Sequence, residues 1–528
     1  MSYASLAFAG FVALALVLYY IVPARFRYVI LLIFSYVFYV MACNKYVIYI
    51  IVTTVSTYFI ARLMERSDVS LKAALSKEGI EKEAKKALKK QNKSHKKTLL
   101  TFALIFNFGI LAVLKYGDFV IANINLVKLN VFHSTSFLGF INPVLPLGIS
   151  FYTFQSMGYL IDLYYGKYEC EKNFLKTALY VSYFPQIIQG PISRFNDLSK
   201  TLFSGASFNS LNMKYGLYRI FWGLFKKLVV ADRVAVYVTN TIDRYQELRG
   251  VYLLIAVFFY SMQIYGDFSG GIDITIGVSQ LFGVKVTENF DRPFFSKSVS
   301  EYWNRWHMTL GTWFRDYIFY PITVSKSMID LGKKCRKLLG EALGKRVPIY
   351  IAMFTVWFTT GLWHGAQWRY IIWGLLNFVI ILISTECEGV FGRINGFLKW
   401  EGTFIQRLFR VVRTFLIMSF LRVFDLSSAG ISQALFVIRK SLTDISLPAL
   451  DMMTELGLDE KELKAAVIGI VIMFVFDLIQ RRGSVTDRLM RAPLMVRWSL
   501  TAALVIAVVI FGSYGPGYDS RAFIYLQF

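Results

Sequence analysis

The chain has 528 residues, 56% hydrophobic and 17% aromatic, and carries 58 Lys and Arg against 34 Asp and Glu for a formal charge of +24. Its mean hydropathy of +0.49 excludes an ordinary soluble enzyme, so length counts membrane spans rather than soluble domains. In a soluble protein that charge would suggest nucleic acid. Here Lys and Arg cluster between apolar runs, as cytoplasmic segments of a membrane protein do, so membrane lipids are the expected surroundings and no nucleic acid is expected.

A spanning helix needs about 20 mostly apolar residues. Segments 5–22, 28–42, 46–61, 99–115, 143–165, 177–190, 213–239, 251–281, 348–363, 368–385, 404–424, 465–480 and 498–513 approach that requirement. The expected fold is all-α: a polytopic integral membrane protein of about 11–13 transmembrane or re-entrant helices, forming one membrane domain over 1–528. The N-terminus has no basic n-region and no cleavage site before Leu18-Tyr-Tyr20, so the first segment reads as a retained span. Cys43, Cys170, Cys335 and Cys387 show no CxxC spacing, and neither disulfides nor a metal site are expected.

Orientation follows from the basic loops. Arg66–Lys97 holds eleven Lys and Arg against four Asp and Glu, in a composition rich in Ala, Glu, Lys and Leu that suggests helix. Lys326–Arg346 has seven against two, Arg481–Arg497 five against one, whereas Asp444–Glu462 is mostly acidic. A basic cytoplasmic loop at 62–98, a basic cytoplasmic insert at 324–347 and an extracytoplasmic loop at 426–462 are therefore expected. No internal repeat is visible, which argues mildly against a secondary transporter.

The stretch 184–194, Phe-Pro-Gln-Ile-Ile-Gln-Gly-Pro-Ile-Ser-Arg, breaks the apolar pattern with two prolines and a glycine. It reads as a re-entrant or channel-lining turn, with Gln189 and Arg194 as lining candidates, or as a plain interhelical loop. Residues 261–277 set Gln263, Asp267 and Asp273 in an apolar run, with Gly266, Gly270 and Gly271 permitting a broken helix or close packing. These polar groups suit a substrate channel, or equally an ion pair with a neighbouring span through Arg292 or Arg305.

From Trp303 to Tyr317, helical spacing would line Trp303, Trp306, His307, Leu310, Trp313, Phe314 and Tyr317 along one face, with Asn304, Arg305, Thr309, Thr312 and Asp316 opposite. Such a stripe is usually an interfacial anchor, but His307 does not fit a mere anchor. Residues 360–368, Thr-Gly-Leu-Trp-His-Gly-Ala-Gln-Trp, place His364 between two glycines at the end of an apolar segment. An unsatisfied titratable ring at membrane depth costs about a few kcal/mol, so such a residue is either a hydrogen-bonded core histidine or part of a buried site. Eighteen residues of helix from Arg346 would reach about 27 Å, which puts His364 in the outer part of the membrane or near its middle. Two histidines in such settings suggest acid–base chemistry. His95 and His133 lie in polar loops and receive no role. The sequence contains no G-x-S-x-G, Walker A or H-E-x-x-H stretch, the usual signs of serine hydrolysis, ATP hydrolysis and zinc proteolysis.

Taken in order, 263–270 (QIYGDFSG), 284–293 (VKVTENFDRP), 302–317 (YWNRWHMTLGTWFRDY) and 361–366 (GLWHGA) resemble the membrane-bound O-acyltransferase family in its bacterial, alginate-acetylating branch. Residues 145–154, 184–195 and the terminal 523–528 are similar to that branch too. The resemblance implies an acyltransferase with a tunnel through the membrane, in which His364 is essential and His307 a second catalytic residue. Around them Gln263, Asp267, Asp273, Trp303, Asn304, Arg305, Trp306, Trp313, Trp363, Gln189 and Arg194 would line the tunnel. The chain departs from the branch after Tyr320-Pro-Ile, where the basic insert Val324–Arg346 replaces a short Gly-Gly-Asn-Arg turn. Contacts to donor or partner on that face are therefore not carried over.

The expected reaction moves an acyl group, acetyl in the first instance, from a cytoplasmic thioester to an extracytoplasmic hydroxyl. Acetyl-CoA is the expected donor substrate, with no bound cofactor. The acceptor would be a glycan, or a serine on an extracytoplasmic esterase-like partner that relays the group. D-alanyl transfer to teichoic acid from a carrier-protein thioester is the alternative within the fold, and a lipid-linked glycan transporter without chemistry the alternative outside it. A neutral imidazole of pKa near about 6.5 suits removal of the hydroxyl proton. For His307 the sequence leaves three roles open: orienting His364, polarising the thioester carbonyl, or hydrogen bonding within the channel.

Overall fold

A computed structural model describes residues 3–78, 80–445, 448–514 and 523. The terminal stretch 524–528, part of the family resemblance, and residues 446–447 of the expected outer loop lie outside the described residues. The chain forms two compact units, one of Met1–Met213 with Val278–Thr287, the other of Lys214–Gly277 with Glu288–Phe528.

The first unit contains α1 (Leu6–Ile21), α2 (Arg27–Cys43), α3 (Val47–Leu75), α4 (Lys82–Asn130), α5 (Ile149–Tyr164), α6 (Phe174–Ser182) and α7 (Phe195–Leu202). Ser5 caps α1 by accepting from the Phe8 N–H, and Pro23 stands just past its end, where a proline separates helices without loss of a bond. The basic stretch 66–97 is helical, split between the end of α3 and the start of α4. There Lys96 Nζ lies 2.7 Å from Asp68 Oδ2, and Asn92 donates to the Ser67 carbonyl at 2.8 Å.

Segment 177–190 is not a span. Its helix stops at Ser182, because Pro185 and Pro191 cannot continue the hydrogen-bond ladder, and a buried non-helical turn follows. Protein groups bond parts of the turn: Tyr3 donates to the carbonyls of Phe184 and Pro185 at 2.9 and 2.8 Å, and Gln186 donates to Ser193 Oγ at 2.6 Å. Gly190 is required, since a Cβ there would stand 2.3 Å from the Gln186 Cα.

Next come α8 (Ser210–Leu224), a π-helical turn Phe225–Ala231, α9 (Asp232–Asp243) and the 32-residue α10 (Gly250–Leu281); residues 214–277 of this stretch belong to the second unit. It continues through α11 (Val299–Arg305), α12 (Met308–Phe314), α13 (Tyr320–Thr323), α14 (Lys326–Gly344), α15 (Val347–His364) and α16 (Trp368–Glu386). Then come α17 (Glu388–Leu398), α18 (Phe404–Leu421), α19 (Val423–Leu426), α20 (Ile431–Thr443), α21 (Leu450–Glu455), α22 (Glu460–Gln480), α23 (Val485–Arg491) and α24 (Leu494–Phe511). The basic insert is α14, kinked at Gly340.

The glycines of α10 do not break it; they let it pack. A Cβ on Gly270 would stand 2.8 Å from the Gly223 carbonyl oxygen, and one on Gly277 2.7 Å from that of Gly216. Such backbone-to-backbone approach through small residues is the usual helix contact where no hydrophobic force operates between helices. Among the described residues, five helical stretches are long and apolar enough to cross a membrane: Ala24–Leu75, Lys82–Asn130, Gly250–Leu281, Trp368–Glu386 and Leu494–Phe511. The least buried of these, α24, buries only Val508 and leaves a run of large aliphatic side chains exposed, as a lipid-facing helix does.

Candidate active site

α15 and α16 form a tight hairpin. Gly361 faces Gly374, and a Cβ on either would meet backbone: the Tyr370 oxygen at 2.6 Å from Gly361, the Trp357 oxygen at 2.4 Å from Gly374. The helix ends at His364, where Gly365 turns the chain in extended geometry beneath the ring of Tyr370. The His364 imidazole is buried against the indole of Trp373, with ring centroids 4.7 Å apart, and against Trp363 at 5.2 Å.

The stretch 303–317 is not one helix, so the continuous aromatic stripe expected there does not exist. α11 ends at Arg305, Trp306 is extended, and His307 takes the left-handed backbone (φ 48°) before α12 begins. A non-glycine residue is uncommon in that region and is held there by its surroundings. Here the hold is a strand-like pairing of the preceding loop with the break, through a bridge between Phe290 and Trp306 and a 3.0 Å bond from the Met308 N–H to the Asn289 carbonyl.

The break turns the buried His307 toward the hairpin. Its ring meets Trp363 at 5.6 Å and Phe268 at 4.8 Å, so both imidazoles lie against the indole of Trp363. Trp303 completes the aromatic wall, with centroids 5.5 Å from Trp373 and 5.1 Å from Trp357, and donates from Nε1 to Asn377 Oδ1 at 2.9 Å. Trp306 is stacked on Tyr302 beneath the guanidinium of Arg422, which lies 4.1 Å from its ring and donates to the Tyr302 hydroxyl at 2.7 Å.

The other expected lining residues have the following local settings. Asn304 is exposed, and Arg305 is paired within its own helix to Glu301 at 2.7 Å. Trp313 is buried beside Tyr317, and Gln263 is half-buried on α10. Gln189 and Arg194 belong to the turn of the first unit, where Arg194 lies 4.0 Å from Asp162.

Asp267 and Asp273 are ion-paired, and not to Arg292 or Arg305. Asp273 meets Lys226 at 2.5 Å and Arg219 at 2.9 Å, while Asp267 meets Lys227 at 2.5 Å and Lys227 also meets Asp232 at 2.8 Å. Both lysines sit in the π-helical turn, whose seven residues are all buried. Two adjacent lysines inside the apolar segment 213–239 were the visible signal for this network.

Beside it lies a cavity of about 260 Å³, lined among others by Arg219, Lys226, Tyr265, Asp273, Arg292 and Asp477. Phe290 lines it too and packs on Phe268 at 4.9 Å, which in turn packs on His307.

Comparison with known proteins fits this architecture. Residues 171–333, which contain His307 but not His364, match the membrane-bound O-acyltransferase (MBOAT) family. The chain is 31% identical over 397 residues, 75% of its length and 68% of the relative's, to "Probable alginate O-acetylase AlgI" of Pseudomonas aeruginosa. It is 30% identical to "Peptidoglycan O-acetyltransferase" of Helicobacter pylori over 56% of each chain. It is also 29% identical to "Teichoic acid D-alanyltransferase" of Bacillus subtilis, over 49% of its own length and 62% of the relative's. These matches define the class, a multi-pass membrane O-acyltransferase. The chain belongs to the membrane-bound O-acyltransferase family, in its AlgI-like branch.

Proposed function

We propose that the protein is an O-acetyltransferase that takes acetyl from acetyl-CoA on the cytoplasmic side and delivers it to a hydroxyl on the outer side. That hydroxyl belongs to a cell-envelope glycan, or to a serine of an extracytoplasmic partner that relays the group. The observation that carries the reading is the packing of both His364 and His307 on one indole, Trp363, one at the end of α15 and the other at the break between α11 and α12. His364 is the base. As the acceptor oxygen bonds to the acyl carbon, the hydroxyl proton passes to the imidazole; the tetrahedral intermediate then expels the thiolate, which takes that proton back. Burial among tryptophans excludes water, which would otherwise hydrolyse the thioester.

The test uses purified protein in detergent or proteoliposomes with acetyl-CoA labelled in the acetyl group. Acceptor-dependent release of CoA thiol, with label recovered as an alkali-labile ester on glycan or protein, is the expected result. Label transfer only from a D-alanyl carrier-protein thioester would replace this reading with D-alanyl transfer.

A further inference from the structure

Asn289 lies in the loop before α11, fully buried, and its side chain makes a closed set of bonds. Oδ1 accepts from the backbone N–H of Thr309 at 3.0 Å and from the Thr309 hydroxyl at 2.9 Å. A carbonyl oxygen has two lone pairs, and both are occupied. The backbone N–H also fixes which end of the amide is oxygen, because the reversed amide would set NH₂ against N–H. The Nδ2 group therefore faces His307 Nδ1, 3.1 Å away. Nδ2 has only protons to offer, so Nδ1 presents its lone pair and the single proton of the neutral ring sits on Nε2. The alternative, Nδ1–H donating to Oδ1, spans a longer 3.3 Å and asks a third bond of an oxygen already accepting two.

We propose that Asn289 is a positioning residue that locks His307 as the Nε2–H tautomer, and that His307 serves as a hydrogen-bond donor to the acyl carbonyl oxygen and not as a second base. The inference rests on the acyl-transfer reading above. When the acceptor oxygen bonds to the acyl carbon and its proton goes to His364, the carbonyl electron pair moves onto oxygen, where the His307 Nε2–H stabilises it. When the carbonyl re-forms, the carbon–sulfur bond breaks and the thiolate takes the proton from His364. His307 keeps its proton throughout. The rings of Phe268 and Trp363 and the left-handed backbone hold the donor's direction without reorganisation, the condition under which such a donor is effective.

The chain has only four histidines, so nitrogen-15 spectra of ring-labelled protein are assignable by subtraction of a His307→Gln spectrum. The neutral His307 ring should show a protonated Nε2 and a bare Nδ1; a protonated Nδ1 in the wild type overturns the proposal and needs no variant to fold. Asn289→Asp keeps both acceptor bonds to Thr309 but accepts where the amide donated, so the proton should move to Nδ1. At a pH where the spectrum shows the ring neutral, turnover should then fall by about 10²-fold, as for loss of one oxyanion donor. Unchanged turnover with the proton moved would overturn the donor role.

His307→Gln, which donates but cannot act as a base, should retain at least about 10-fold more turnover than His307→Leu, whereas His364→Gln should have no such advantage over His364→Leu. Equal loss in the two His307 variants, both folded, also overturns the donor role. A wild-type preparation that transfers no acyl group from either thioester while showing the Nε2–H ring would sink the acyl-transfer reading and, with it, only the catalytic half of this proposal.

Discussion

The imidazole of His364 stands nearly edge-on to the indole of Trp373, with centroids 4.7 Å apart and planes inclined at 69°. The contact exists because α15 and α16 approach to backbone distance at Gly361 and Gly374, which brings the last residue of one helix over the second turn of the next. Held between two rigid aromatic rings, this imidazole would need little reorganisation to act as the proposed base. Its position is thus set by glycines that never touch the chemistry.

Gly361→Ala and Gly374→Ala should each destabilise the protein by about 1–3 kcal/mol, because the new methyl meets backbone that cannot yield without parting the hairpin. Activity should fall further than the melting shift explains, since the displaced group is His364. Gly10→Ala and Gly109→Ala, with nothing within 4 Å of the new Cβ, are the controls. Detergent melting curves and turnover for the four variants decide the matter; equal behaviour of the two pairs would refute it.

Asp273 is the shared partner of Arg219 and Lys226. Asp273→Ala leaves a cation uncompensated in the interior, and such a loss costs about 3–5 kcal/mol. Asp267→Ala should cost less, because Lys227 keeps Asp232 at 2.8 Å. Combining Asp273→Ala with Lys226→Met should restore part of the loss, the remaining cation Arg219 having Glu288 at 2.5 Å. Thermal unfolding of the three variants in one detergent measures the order.

What the sequence made legible was composition and local anomaly. Apolar runs located most helices, and a histidine framed by glycines in such a run marked His364. The break at His307 was hidden, because no proline or glycine lies between Trp303 and Met308 to announce it. It arises from pairing with the loop that carries Asn289 and Phe290, a contact remote along the chain. For the same reason Asn289 looked like any polar loop residue, though it stands in a stretch that carried the family resemblance. Asn377, alone and polar in the apolar run of α16, could have been found from the sequence as the partner of a buried donor, here Trp303.

The orientation deduced from basic loops has its own check. With the native cysteines replaced, none of which forms a disulfide, a single cysteine at Ser94 should react only with a reagent admitted to the cytoplasmic side. One at Asp451 should react only from outside. Labelling of both from the same side would overturn the topology and, with it, the direction proposed for transfer.

Removing the ring of His364 should abolish acyl transfer, because the rings packed on it, Trp363 and Trp373, offer no group that takes a proton near neutral pH. Asn is a sharper replacement than Ala: it keeps polarity and a similar shape but cannot serve as a base. General-base assistance contributes typically about 10²–10⁴-fold, so a folded His364→Asn protein should lose at least about 10² in turnover. Its melting temperature should stay close to that of the wild type, since the aromatic packing loses one ring and the glycine hairpin is untouched. If donor binding is separate from the chemistry, the variant should also retain the wild-type KM for the thioester, which distinguishes a lost base from a collapsed site. Near-normal turnover in that folded protein would remove His364 as the base.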